Sequence, residues 1–135
     1  MRSTWLTIQS DVIHQVREYC LGRYPLEGYG FLAGKGPVIT RFFPIAGESP
    51  CPCSLQFEPR ACLETIKKIR GQGLDWIGVI HSHPSGDAWP TARDLAGWHM
   101  EHISFWILSL KHPDCPLRAF YLSNRRIIPV FYEIV

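Results

Sequence analysis

The run Ile80-His81-Ser82-His83-Pro84-Ser85-Gly86-Asp87-Ala88-Trp89-Pro90-Thr91-Ala92-Arg93-Asp94 gathers the residue types best able to do chemistry. In an extended chain, side chains at i and i+2 share one face, ~6.5–7 Å apart along the strand. Two imidazoles so placed at a strand end, His81 and His83, can converge on one ion through bonds of ~2.0–2.1 Å. Pro84 then ends the strand, and Asp94 follows His83 by eleven positions, in the first turn of the next helix. The intervening loop is long enough to return that carboxylate to the histidines. Two His and one Asp leave one position of a tetrahedral zinc open to water, the pattern of catalytic rather than structural sites. Zinc lowers the pKa of bound water towards ~7 and so makes hydroxide available at neutral pH.

The same residues admit a structural reading. Thr91-x-x-Asp94 is a capping pattern, in which the threonine hydroxyl accepts an early helix N–H and the acid favours the helix N-terminus. His-x-His also occurs by chance, and either ring could be a core histidine with its partners satisfied. Capping and ligation are not exclusive. The local residues leave both readings open.

The elements that must position these groups can be read from hydrophobic spacing. A first helix is expected over Asp11–Leu21, with Ser10 as N-cap, Gly22 as stop and Val12, Ile13, Val16 and Cys20 on its buried side. Gly28–Ala33 and Val38–Phe43 read as strands around the turn Gly34-Lys35-Gly36-Pro37, and Pro44–Ser54 as a loop. A second helix is predicted over Pro59–Arg70, with Cys62, Ile66 and Ile69 as its buried stripe. Leu74–His81 reads as a buried strand, and Thr91–Met100 as a third helix. Ile103–Leu110, Leu117–Leu122 and Ile127–Ile134 complete the strands. Strands interspersed with three helices give the fold class α/β, an α/β sandwich.

Length and composition set outer bounds. At 135 residues the chain is expected to form a single domain over 1–135, and 46% hydrophobic with 19% charged residues is the balance of a packed globule. A net charge of +2 does not predict nucleic-acid binding, and the densest basic stretch, Lys67, Lys68 and Arg70, falls on the exposed side of a helix. The sequence shows neither the apolar run of a secretory signal nor a stretch near the ~20 residues of a membrane span. A cytoplasmic protein with reduced thiols is the expectation. Cys51-Pro-Cys53 is tighter than the usual zinc knuckle and reads as an ordinary loop. His99 and His102 lack His-Glu-x-x-His spacing and read as helix-end or surface residues, while Asp87 beside Gly86 reads as a turn former.

His81-Ser82-His83, seven residues, Thr91, two residues, Asp94 is similar to the JAMM motif of MPN-type metalloproteases. Pro25-Leu26-Glu27-Gly28-Tyr29-Gly30-Phe31-Leu32-Ala33-Gly34 resembles the upstream glutamate segment of small prokaryotic members. Phe57-Glu58-Pro59, Ser109-Leu110 and Arg118-Ala119-Phe120 extend the likeness, in family order, from about residue 10 to the C-terminus. The resemblance implies an MPN, cytidine-deaminase-like fold with a mostly antiparallel mixed sheet, and one Zn2+ held by His81, His83 and Asp94. It implies Glu27 as the base that takes a proton from the attacking water and later delivers it to the leaving amine. Nothing local separates Glu27 from Glu18, Glu48 or Glu58. Thr91 matches the position whose hydroxyl supports the oxyanion, although serine is usual there and the added methyl restricts its rotamers. Ser82, between the ligands, is implied as a supporting hydrogen-bonding residue of the catalytic set.

The function this resemblance implies is a zinc-dependent peptidase resembling the CysO-cysteine type. It would hydrolyse the peptide or isopeptide bond after the C-terminal Gly-Gly of a ubiquitin-like sulfur-carrier protein, or of its amino-acid adduct. That carrier is the expected partner, with no nucleic acid and no membrane, and a homodimer is compatible with the sequence. The chain's economy disfavours a linkage-specific deubiquitinase. Two other classes stand beside this reading. One is a non-catalytic MPN scaffold, although such relatives lose ligands that this chain keeps. The other is a RadC-like DNA-associated protein, suggested by Pro84-Ser85-Gly86-Asp87 but lacking Asn between the histidines.

Overall fold

A computed structural model describes residues 4–45, 59–98 and 100–135. Its strands and helices follow in the order β1 (Trp5–Ile8), α1 (Ser10–Arg23), β2 (Tyr29–Lys35), β3 (Val38–Pro44), α2 (Pro59–Gly71), β4 (Asp75–His83), α3 (Ala92–Gly97), β5 (Ser104–Ser109), β6 (Leu117–Ser123) and β7 (Arg126–Ile134). The expectations for Cys51, Cys53, Glu48, Glu58 and His99 lie outside the described residues.

The strands form one mixed sheet in the order β1-β3-β2-β4-β5-β6-β7, closed by pairing of β1 with β7. The hairpins β2–β3 and β6–β7 are antiparallel, as are β2–β4 and β5–β6, whereas β4 and β5 run parallel. Parallel strands are usually covered on both faces, and β5 is buried throughout. Period-two alternation divides its side chains between two hydrophobic layers. Trp106 and Leu108 join Val12, Val16 and Cys20 of α1 on one side, while Phe105 and Ile107 join Ile69 of α2 and Trp98 on the other.

Most expected elements are present, with corrections at their ends and one strand added. The sequence reading does not assign β1, a strand of four residues whose parallel partners lie at Val38–Ile39 and Phe131–Ile134. The N-cap of α1 is Gln9 rather than Ser10, and its side chain makes no capping bond. Gly22 does not stop α1, which runs to Arg23 before the turn through Pro25. The third helix ends at Gly97 instead of Met100, because Trp98 leaves the helical conformation, buries its ring and donates its indole N–H to the Met100 carbonyl at 3.0 Å.

Candidate active site

β4 extends two residues beyond its expected end, so His81, Ser82 and His83 all lie inside the strand. Alternation sends the two imidazoles to the α3 side of the sheet and Ser82 to the α1 side. His81 packs against Phe105, ring centroids 4.9 Å apart, whereas Ser82 is coupled to Cys20 of α1. The parallel neighbour β5 places Ser109 opposite His83. The site therefore sits at the carboxyl ends of two adjacent parallel strands, where such sheets commonly bind ligands.

The two Nε2 atoms are 3.0 Å apart. Asp94 comes back from α3 with Oδ1 at 3.5 Å from the His81 Nε2 and Oδ2 at 3.5 Å from the His83 Nε2. All three side chains are buried. Ligands on a tetrahedral ion with bonds of ~2.0–2.1 Å stand roughly 3.3 Å from one another. Two nitrogens and a carboxylate at these separations therefore fit a zinc ion. Glu27 also belongs with the two histidines, their candidate ligand atoms all lying within 4.8 Å of one another.

The surrounding hydrogen bonds distribute the lone pairs. A carbonyl can only accept, so His83 Nδ1 must carry its proton to bond the Asp87 carbonyl at 2.8 Å. That fixes the tautomer and leaves the neutral ring's Nε2 lone pair facing the cluster, the arrangement by which ligating histidines are normally oriented. The loop that supplies this carbonyl is itself tied down. Ser109 donates its hydroxyl to the Gly86 carbonyl at 2.7 Å, and Trp89 donates its backbone N–H to the same Asp87 carbonyl at 2.8 Å. His81 Nδ1 is buried and has no hydrogen-bond partner among the described residues. Its ring is held by packing, between Phe105 and the nearly parallel ring of Tyr29 at 6.0 Å.

Thr91 serves as the cap of α3. Its Oγ1 accepts the Asp94 N–H at 3.2 Å while Asp94 Oδ2 accepts the Thr91 N–H at 2.9 Å, a complete capping box at the start of α3. The threonine is exposed, and the cap uses its oxygen only as an acceptor, so the hydroxyl proton is free to donate outward. The capping reading of Thr91-x-x-Asp94 holds, and the same carboxylate lies beside both imidazoles. The capping bond occupies Oδ2, leaving Oδ1 as the better-placed ligand atom.

Electrostatics keeps the cluster anionic on Asp94. Burial pushes its carboxyl up, but hydrogen bonds from His81 and His83, the nearby imidazole charge and the Thr91 N–H outweigh burial and hold it well below the usual carboxylate range. For His83, burial disfavours the charged ring, yet the Asp94 hydrogen bond, the Asp87 carbonyl and the Asp94 and Glu27 charges raise its pKa above the ordinary value.

Glu27 lies in the loop between α1 and β2, half-buried, with Oε2 accepting the Tyr29 hydroxyl at 2.5 Å. The next residue is pinned twice. Gly28 donates its N–H to Ser82 Oγ at 2.9 Å, and its carbonyl accepts the Ser82 N–H at 3.0 Å. A Cβ on Gly28 would lie 2.9 Å from Cys20 Sγ, so only glycine lets the loop approach α1 this closely. Ser82 thus acts on the glutamate loop from the far face of β4.

Sequence reasoning brought His81, His83, Thr91 and Asp94 together and gained Glu27 through the resemblance. It missed the Asp87 carbonyl, Ser109 and Tyr29. A backbone carbonyl has no residue-type signal, and Asp87 sends its side chain outward to Lys111 and His112 at 3.6 and 3.4 Å. His102 follows α3 at the surface, as expected.

Residues 9–123 match the family described as prokaryotic homologs of the JAB domain. A probable TtuB-protein conjugate cleaving protease from Thermus thermophilus is 31% identical over 103 residues, spanning 74% of this chain and 69% of that protein. A desampylase from Haloferax volcanii is 29% identical over 107 residues, spanning 73% and 77% of the two chains. Among solved structures, a JAB1/MPN domain protein from Archaeoglobus fulgidus is similar in fold, with a TM-score of 0.65 at 18% identity over 96% of each chain.

Proposed function

The chain belongs to the prokaryotic homologs of the JAB domain, and on that premise we propose that it is a zinc-dependent peptidase of ubiquitin-like conjugates. Its target is the peptide or isopeptide bond after the C-terminal Gly-Gly of a small sulfur-carrier protein. The observation that carries this reading is the convergence of His81 Nε2, His83 Nε2 and Asp94 at 3.0–3.5 Å, with Glu27 beside them. Relatives named as a conjugate-cleaving protease and a desampylase support the substrate class.

His81, His83 and Asp94 would hold the metal. When bound, zinc supplies Lewis acidity that makes water a nucleophile at neutral pH. Glu27 accepts the proton of the attacking water as it adds to the scissile carbonyl, then returns that proton to the departing amine. The Thr91 hydroxyl donates to the oxygen that gains charge in the tetrahedral intermediate. Asp87 and Ser109 keep the His83 lone pair aimed, and Ser82 holds the loop that carries the base.

A substrate panel tests the reading. Zinc-loaded protein is incubated with a Gly-Gly-ending sulfur carrier joined to cysteine, to a following peptide, or to a lysine side chain, beside a ubiquitin dimer. Release of carrier ending in Gly-Gly, with little cleavage of the ubiquitin dimer, is the expected result. No release from any carrier conjugate, or preferential cleavage of the ubiquitin dimer, contradicts it.

A further inference from the structure

We propose that Tyr29 is the positioning residue for the general base, selecting which oxygen of Glu27 works on the water. The inference rests on the peptidase reading for its kinetic consequence, but its structural content does not. Glu27 lies in a loop outside any helix or strand, and a glutamate there has several rotamers to sample. Tyr29, in contrast, opens β2. It is in register with His81 on β4, and its carbonyl accepts the Ile45 N–H at 2.9 Å. Cross-strand partners present their side chains to the same face, which is how the Tyr29 ring comes to lie parallel to the His81 ring, 15° apart in plane. From that fixed place the phenol donates to Glu27 Oε2 at 2.5 Å.

A short O–H···O bond to a carboxylate is among the stronger hydrogen bonds available to a side chain. It engages one oxygen only. Oε1 is left as the atom that can receive a proton, and the carboxylate plane is set relative to the two imidazoles. Tyr29 also packs against His81, whose Nδ1 has no hydrogen-bond partner among the described residues, so the stacked ring helps to hold that imidazole. One side chain therefore ties the base to a metal ligand.

Tyr29→Phe removes the hydroxyl and keeps the ring. Crystal structures of zinc-loaded wild type and Y29F should show the Glu27 carboxylate displaced or spread over several rotamers in the variant, with the His81 and His83 rings unmoved. A Glu27 that stays in place in Y29F overturns the proposal, whatever the activity. Kinetically, on a carrier–cysteine conjugate, kcat should fall about 10- to 100-fold, the scale expected for a misplaced catalytic group. KM and zinc content should be unchanged. In the Glu27→Gln background, adding Y29F should cost nothing further, because Tyr29 acts through Glu27. An unchanged kcat in Y29F, or an additional loss in the double variant, overturns it. If wild type cleaves no conjugate, the peptidase reading fails and the crystallographic comparison still decides the positioning role.

Discussion

His83 and His81 reach the same point by different means, and the difference has a consequence for metal binding. His83 is oriented by a hydrogen bond to the Asp87 carbonyl, His81 by stacked and packed rings. Without metal, the raised pKa of His83 means that the ring holds its proton more tightly than a free histidine, whose pKa is ~6.5. Zinc must displace that proton, so apparent affinity rises with pH until the ring is neutral and falls as pH drops through the raised pKa. For one displaced proton the loss is about tenfold per pH unit. Titration against a chromophoric chelator at pH 5.5 and 7.5 should show this weakening; equal affinities would contradict it. Asp94, held well below the usual carboxylate range, adds no proton competition over the same interval. At this scale the sequence was informative wherever spacing alone fixes a face. His81 and His83 are an i, i+2 pair, and Asp94 is three residues past a capping threonine. Glu27 came only through family likeness, because its place depends on a contact between Gly28 and Ser82, 54 residues apart in the chain.

Three elements hold the site: β4, the loop before β2, and α3. The last has only six residues, too short to be stable alone, and under the proposed function its capping threonine has a second task. Thr91→Ala removes both the acceptor for the Asp94 N–H and the outward hydroxyl donor. Loss of an N-cap side chain costs ~1 kcal/mol, to be read as a lower urea midpoint of the zinc-free protein. Loss of an oxyanion donor lowers kcat on the order of 100-fold. Thr91→Ser keeps both groups and should restore both measurements; a serine variant as impaired as alanine would mean that the hydroxyl is not what matters. The elements were legible where periodicity runs for several turns or strand residues, as in α1, α2 and β5. They were misread where a local exception decides, as when Trp98 leaves the helix to bury its ring and ends α3 early.

Across the molecule, the sheet's closure was not visible in the sequence. It depends on Trp5–Ile8 pairing with Phe131–Ile134 at the opposite end of the chain, and four residues carry too little alternation to announce a strand. Closure leaves β4 and β5 between two hydrophobic layers, which is why three buried polar side chains can be held so close without solvent. Such a cluster pays a desolvation penalty that a cation relieves. Zinc should therefore stabilise the fold, by about 2.7 kcal/mol at one hundred times its Kd. Thermal melts with zinc and with excess chelator should differ by several degrees, and Asp94→Asn should lose that difference. Coincident melts for the unaltered protein would mean that the cluster does not bind the ion. Among the described residues no helix is long and apolar enough to cross a membrane.

The most direct test of the central claim is mass spectrometry of a carrier–cysteine conjugate after incubation with zinc-loaded wild type and, separately, with zinc-loaded Glu27→Gln. Wild type should yield free carrier ending in Gly-Gly. Glu27→Gln, with its metal retained, should be slower by about 100- to 10,000-fold, the range for loss of a general base. An intact conjugate after wild-type treatment, or equal turnover by the two proteins, would contradict a peptidase in which His81, His83 and Asp94 hold the metal and Glu27 moves the proton.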